Sequence, residues 1–229
     1  MRKKIILAFL LVLVIFFINE QDITAKADDG VTVFYDSLAK NTDNEGNIDS
    51  LLRILNSMGE RVMMYSWNEN PDLSKTSKII ILQNKQADLP DKWVQRLKDS
   101  KAKIAYIGGN PPVFLGDKLQ LKTEAVTNAA VTIRTNNGLI DKPQLVADTN
   151  LITSYKGTGF GEINTAEKGS SPYGVQSENY AYAPIFQANN ASEFALVDVL
   201  RALFGAKEET NQYALITGVN PFADFNMLK

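Results

Sequence analysis

The chain contains no histidine and no cysteine. That double absence removes imidazole acid–base catalysis, Ser-His-Asp triads, thiol nucleophiles and His- or Cys-ligated zinc. Carboxylates, hydroxyls, lysines and tyrosines remain for chemistry or binding. They gather at Asp36-Ser37, Ser66-Trp67-Asn68-Glu69, Gln83-Asn84 and Gly108-Gly109-Asn110. Asp36 and Glu69 are the carboxylates available for two-carboxylate glycoside cleavage, which needs a separation of about 5–10 Å. Trp67 offers an aromatic face to a pyranose, with Asn68 and Glu69 as polar neighbours. Gly108 and Gly109 let backbone N–H groups close on an anion, as in a nest. Each has a plainer alternative: a turn-capping Asp36, a packed Trp67, and a glycine pair used for its positive φ. No catalytic residue, metal set or cofactor is therefore assigned. Asp36, Ser37, Trp67, Asn68, Glu69, Gly108, Gly109 and Asn110 stand as ligand-binding candidates. Tyr155, Tyr173, Tyr180 and Tyr182, with Phe160, form a second set that could line a glycan groove. The alternating Tyr180 and Tyr182 equally suit packing on one sheet face. The run Gly157-Thr-Gly-Phe-Gly161 lacks the G-x-G-x-x-G spacing and the strand–helix setting of a phosphate loop.

These residues fall where predicted elements end. Val31-Thr-Val-Phe-Tyr35, Arg61-Val-Met-Met-Tyr65, Lys78-Ile-Ile-Ile-Leu82 and Lys103-Ile-Ala-Tyr-Ile107 read as strands, the third apolar enough to be covered on both faces. Ile48, Leu51, Leu52, Ile54, Leu55 and Met58 recur at helical spacing, with Asn47 as the expected N-cap and Gly59 as the C-cap. Residues 90–98 predict a short helix opened by Pro90, with Trp93, Val94 and Leu97 on one face. The order β-α-β-β-α-β over 31–112 predicts a parallel sheet with helices on both faces. In such sheets ligands bind beyond the carboxyl ends of the strands, where the first candidates lie. Residues 129–134 and 144–148 read as strands, and 153–180 as hairpins and loops, so a β-rich part is expected near 125–190. Residues 180–186 predict a further strand. Residues 192–204 predict a strong helix, with Ser192 as N-cap and Gly205 as C-cap. A last strand is expected at 213–217, followed by a loop and the start of a helix.

The amino terminus reads as a targeting segment. Met1-Arg2-Lys3-Lys4 is basic, and an unbroken apolar run follows over residues 5–18. As a helix that run is about 21 Å long, short of a ~30 Å bilayer core. Ala25-Lys26-Ala27 supplies a small-x-small cleavage pattern. Residues 1–27 are thus expected to be a signal peptide cut after Ala27, with Ala25 and Ala27 as the recognition pair, or an uncleaved membrane anchor. The chain is placed outside the cytoplasm, secreted or anchored at the surface of a Gram-positive bacterium. Its lack of disulfides means that the core alone must hold it together. The full sequence has 24 basic and 26 acidic residues. Four of the basic ones and two of the acidic ones lie in residues 1–27, which leaves the remainder at −4. A mildly acidic chain has no basic stripe for nucleic acid.

Two segments carry a family resemblance. The first strand, the 47–59 helix and the terminal Gly108-Gly109-Asn110-Pro111 resemble the class I glutamine-amidotransferase-like fold, without that fold's nucleophilic Cys and its His. The whole layout, ending in Leu215-Ile-Thr-Gly-Val-Asn-Pro-Phe-Ala-Asp224, resembles an uncharacterised exported polysaccharide-deacetylase-like family. The resemblance implies a flavodoxin-like, amidotransferase-like α/β domain over 28–207 and the start of an incomplete deacetylase-like barrel over 208–229. Residues 213–217 would be that barrel's first strand. Asp224 would stand at a metal position, and a lone Asp without His cannot hold a catalytic metal. The function so implied is a non-catalytic extracytoplasmic domain that binds or positions cell-surface glycan or exopolysaccharide. The alternatives are a carboxylate-dependent glycan-active enzyme and an interaction module for a membrane-bound polysaccharide synthase.

Overall fold

A computed structural model describes residues 30–36, 45–83, 89–138 and 145–205. The expectations for the targeting segment, Ser37, Asn84, the 213–217 strand and Asp224 lie outside them.

The first half follows the alternating pattern. Val31–Tyr35 (β1), Val62–Ser66 (β2), Lys78–Leu82 (β3) and Lys103–Ile107 (β4) are parallel neighbours in the order β2-β1-β3-β4. The sheet needs β3 inside, because Ile79, Ile80 and Ile81 have no polar face to show to water. All three are fully buried, each worth roughly 1.5–3 kcal/mol of transfer free energy. Side chains alternate between two faces. Val31, Val33, Ile80 and Leu82 meet Glu45–Ser57 (α1) through Leu51, Ile54 and Leu55. Phe34, Ile79, Ile81 and Tyr106 meet Asp91–Lys98 (α2) through Trp93 and Leu97. Pro90 precedes α2 with φ −56°, the value its ring imposes.

A helix at Val113–Leu119 (α3) had no clear sequence signal. It is seven residues long, has Gly116 inside, and stops where Gln120 turns left-handed at φ 47°. It adds Phe114, Leu115 and Leu119 to the α2 side.

The β-rich part divides between two sheets. Lys122–Arg134 (β5), Leu145–Ser154 (β6), Glu162–Thr165 (β8) and Gly169–Ser171 (β9) form an antiparallel sheet in the order β6-β5-β8-β9, and β6 also approaches β9, so the sheet curls. Thr158–Phe160 (β7), Gly174–Ser177 (β10) and Tyr180–Ala183 (β11) instead extend the first sheet. There β11 lies parallel to β4, and β10 and β7 follow antiparallel. The layer is therefore mixed, parallel over five strands only. β5 runs seven residues further towards the amino terminus than expected. Its exposed first half and the bulge at Asn128 (φ 50°) erase the alternation that would have marked it.

Ala191–Phe204 (α4) packs on β10, β11 and β4 and also on β5, so both sheets share its apolar face. Gly205 closes it in the left-handed region as expected. Its N-cap is Asn190, not Ser192: the Asn190 side chain accepts from Ser192 N–H at 2.8 Å. Asn47 likewise sits inside α1 rather than capping it. Its amide donates to Phe186 O and accepts from Ala188 N–H.

Candidate functional site

The parallel register sets the first candidates side by side. Tyr35, Ser66, Leu82 and Ile107 end their strands level with one another. The residues that follow, Trp67, Asp36, Gln83 and Gly108, line one sheet edge with strands about 4.8 Å apart. The chain fills this edge with its own groups. Trp67 is 4% exposed, so its face is not open to a sugar. The pattern Ser-Trp-Asn-Glu at a strand end is the same for a ring turned in or out. Here Trp93 fixes it inward, donating from Nε1 to Trp67 O at 2.9 Å. Asn68 and Glu69 are exposed, and the Glu69 carboxylate turns back to accept from Ser66 N–H. Asp36 is buried at the end of β1. The Asp36–Glu69 pair is thus one buried and one exposed carboxylate, the latter engaged in its own turn.

Gly108 and Gly109 serve packing. A Cβ at Gly108 would lie 2.2 Å from Gln83 O, and one at Gly109 2.1 Å from Gln83 Oε1. Gly108 also holds φ 105°, and its N–H donates to Ala183 O at 2.8 Å, so it is not presented to an anion. Around the pair Tyr106 donates to Gln83 Oε1, Tyr182 donates to Gly109 O, and Asn150 donates to Gly109 O and Asn110 Oδ1. Asn150 belongs to β6, so these bonds pin the second sheet to the edge of the first.

An open cavity of about 400 Å³ lies at the other junction of the two sheets. The chain passes from β7 in one sheet to β8 in the other through Gly161. Its φ is 56°, and a Cβ there would meet Arg134 O at 2.8 Å. Gly161 N–H donates to Asn136 Oδ1 at 2.7 Å, which holds the Thr135–Gly138 turn beside it. Arg134 and Glu162 are cross-strand partners of β5 and β8, with Nη1 and Oε2 3.9 Å apart. Ser170 of β9 donates to Glu162 Oε1. This bond first, then Asn164 and the charge of Arg134, holds the Glu162 carboxyl below its ordinary range. Tyr155, between β6 and β7, completes the wall. It is 38% exposed, and its hydroxyl end lies over Gly159, where a Cβ would come within 2.8 Å.

The cavity therefore joins an aromatic ring to guanidinium and amide donors and to carboxylate and hydroxyl acceptors. Glu162 is the single carboxylate among the described residues that line it. Of the second sequence set, Tyr155 reaches the cavity, whereas Tyr173 and Tyr182 are buried in the core. Arg134, Asn136, Glu162 and Ser170 carried no sequence signal, because strand pairings distant along the chain bring them together. Among the described residues no three acidic side chains converge as a metal site would need.

No family model matches the sequence, and no curated protein matches it. Solved structures do. The β-galactosidase from the psychrophilic Marinomonas ef1 is similar at 12% identity and TM-score 0.50, over 77% of this chain and 29% of that one. Agd3, a carbohydrate deacetylase, is similar at 10% identity and TM-score 0.46, over 77% of this chain and 32% of that one. The chain spans less than a third of either protein's length, and its likeness to the galactosidase is one of fold.

Proposed function

We propose that this chain is a glycan-binding, non-catalytic domain that works outside the cytoplasm within a polysaccharide-deacetylase-like protein. The observation that carries the reading is the cavity between the sheets, where the exposed Tyr155 ring stands beside Arg134, Asn136 and Glu162. A pyranose offers an apolar face to such a ring and a fringe of hydroxyls to such polar groups. Among the described residues the cavity has one carboxylate, Glu162, and one carboxylate is no acid–base pair for cleaving a glycosidic bond. With histidine and cysteine absent from the whole sequence, the cavity binds and holds. The amidotransferase-like layer is then a scaffold that has given up its reactive groups.

The test is a panel of cell-wall and exopolysaccharide fragments titrated against the full chain. Binding is expected, and Tyr155→Ala should weaken it by roughly tenfold, the loss of one aromatic contact of about 1.4 kcal/mol. Absence of binding across the panel, or turnover of a glycan by the purified chain, sinks the reading.

A further inference from the structure

We propose that the cavity selects uncharged saccharides over both acidic and amino sugars, an inference that rests on glycan binding at this cavity. The argument is charge balance. Arg134 and Glu162 are the ionic side chains of the wall among the described residues. At 3.9 Å they are too far apart to hydrogen-bond, and they are 52% and 35% exposed, so neither saturates the other. The guanidinium keeps donors for a ligand. The carboxylate offers about four lone-pair sites, of which Ser170 and Asn164 take two, so it keeps acceptor capacity. A neutral diol satisfies both at once: one hydroxyl donates to the carboxylate, and its neighbour accepts from the guanidinium. No charge is brought in, and none is left without a partner.

A charged sugar gains from one partner what it loses to the other. A uronate drawn to Arg134 stands close to Glu162, whose charged form the Ser170 hydrogen bond favours. An ammonium drawn to Glu162 meets Arg134. In both cases the cost of desolvating the added charge remains. Among the described residues, the two nearby lysines are each paired with a carboxylate: Lys156, next to Tyr155, with Glu178 at 3.0 Å, and Lys168, near Ser170, with Glu124 at 2.7 Å.

The experiment titrates the full chain with three oligosaccharides of equal length, built from neutral hexose, from hexuronate and from glucosamine. The neutral ligand should bind at least tenfold more tightly than either charged one. Glu162→Gln, which leaves Arg134 unopposed, should raise hexuronate affinity about tenfold. Arg134→Gln should do the same for the glucosamine ligand. Both positions are partly exposed, and circular dichroism checks that the variants fold. Equal affinity of the wild-type chain for a charged and the neutral ligand overturns the inference while glycan binding stands. So does an order of preference unchanged in both variants. No binding of any ligand by any form removes glycan binding itself.

Discussion

Gly108 and Gly116 look alike in the sequence and should respond in opposite ways to the same substitution. At Gly108 a methyl group meets the carbonyl oxygen of Gln83 at 2.2 Å, and backbone cannot swing aside. The φ of 105° adds strain of about 1–3 kcal/mol for any other residue. Gly108→Ala should therefore lose roughly 3 kcal/mol or more, read as a fall in the urea midpoint. At Gly116, inside α3, a Cβ meets nothing within 4 Å and the backbone is helical. Gly116→Ala should gain about 0.5–1 kcal/mol. A harmless Gly108→Ala would mean that the sheet edge is looser than its hydrogen bonds imply. The same edge shows what was legible residue by residue. The strand ends at Asp36, Trp67 and Gly108 could be placed from composition, because apolar runs stop there. Whether Trp67 faces water or core depends on Trp93, whose ring packs on Phe34 at 4.6 Å while its N–H bonds to Trp67 O. That is a contact between elements, beyond the reach of a local pattern.

The elements themselves divide by how local their causes are. β1, β3 and β4, with runs such as Ile-Ile-Ile-Leu, start and stop where the sequence says, because a buried central strand tolerates few residue types. The N-cap expected at Ser192 falls to Asn190 two residues earlier, and Asn47 of α1 is drawn to distant partners instead of capping. Asn47 bridges α1 to the segment before α4, donating to Phe186 O at 3.2 Å and accepting from Ala188 N–H at 2.8 Å. Glu193, in the first turn of α4, answers by accepting from Asn189 N–H and from Ser50 Oγ of α1. The two helices are thus tied by polar groups as well as by their apolar contact. Asn47→Ala leaves two backbone groups without their partner, at about 1 kcal/mol or more each. The expected loss is roughly 2–4 kcal/mol with an unchanged denaturant slope, since the core is untouched. A loss under 0.5 kcal/mol would show that water replaces the amide, and that the helices hold through Leu51, Leu55 and Leu196 alone.

At the scale of the molecule, one core serves both sheets: Val131, Ile133 and Ile163 of the second join Val33, Ile80 and Ala183 of the first through α4. Two tyrosines sit at the seams. Tyr173 shares its one hydroxyl proton between Ile185 O and Ser192 O, and Tyr182 donates to Gly109 O. Burial pushes both phenols far above their ordinary value of 10, so in the folded chain they stay protonated. In the unfolded chain they ionise near pH 10. The sign follows: above pH 10 the unfolded state binds fewer protons, and stability falls as pH rises. Below pH 10 the two phenols leave stability unchanged. Each contributes about 1.4 kcal/mol per pH unit to that fall, so by pH 11.5 the pair removes about 4 kcal/mol from a typical 5–15. Urea unfolding followed from pH 9 to 12 should show this descent, with both sheets lost in one transition. Tyr173→Phe starts from a lower stability, because Ile185 O and Ser192 O lose their donor, yet it should descend about half as steeply. A flat profile above pH 10 would mean that solvent reaches both rings in the folded state, and that the seam between the sheets is open.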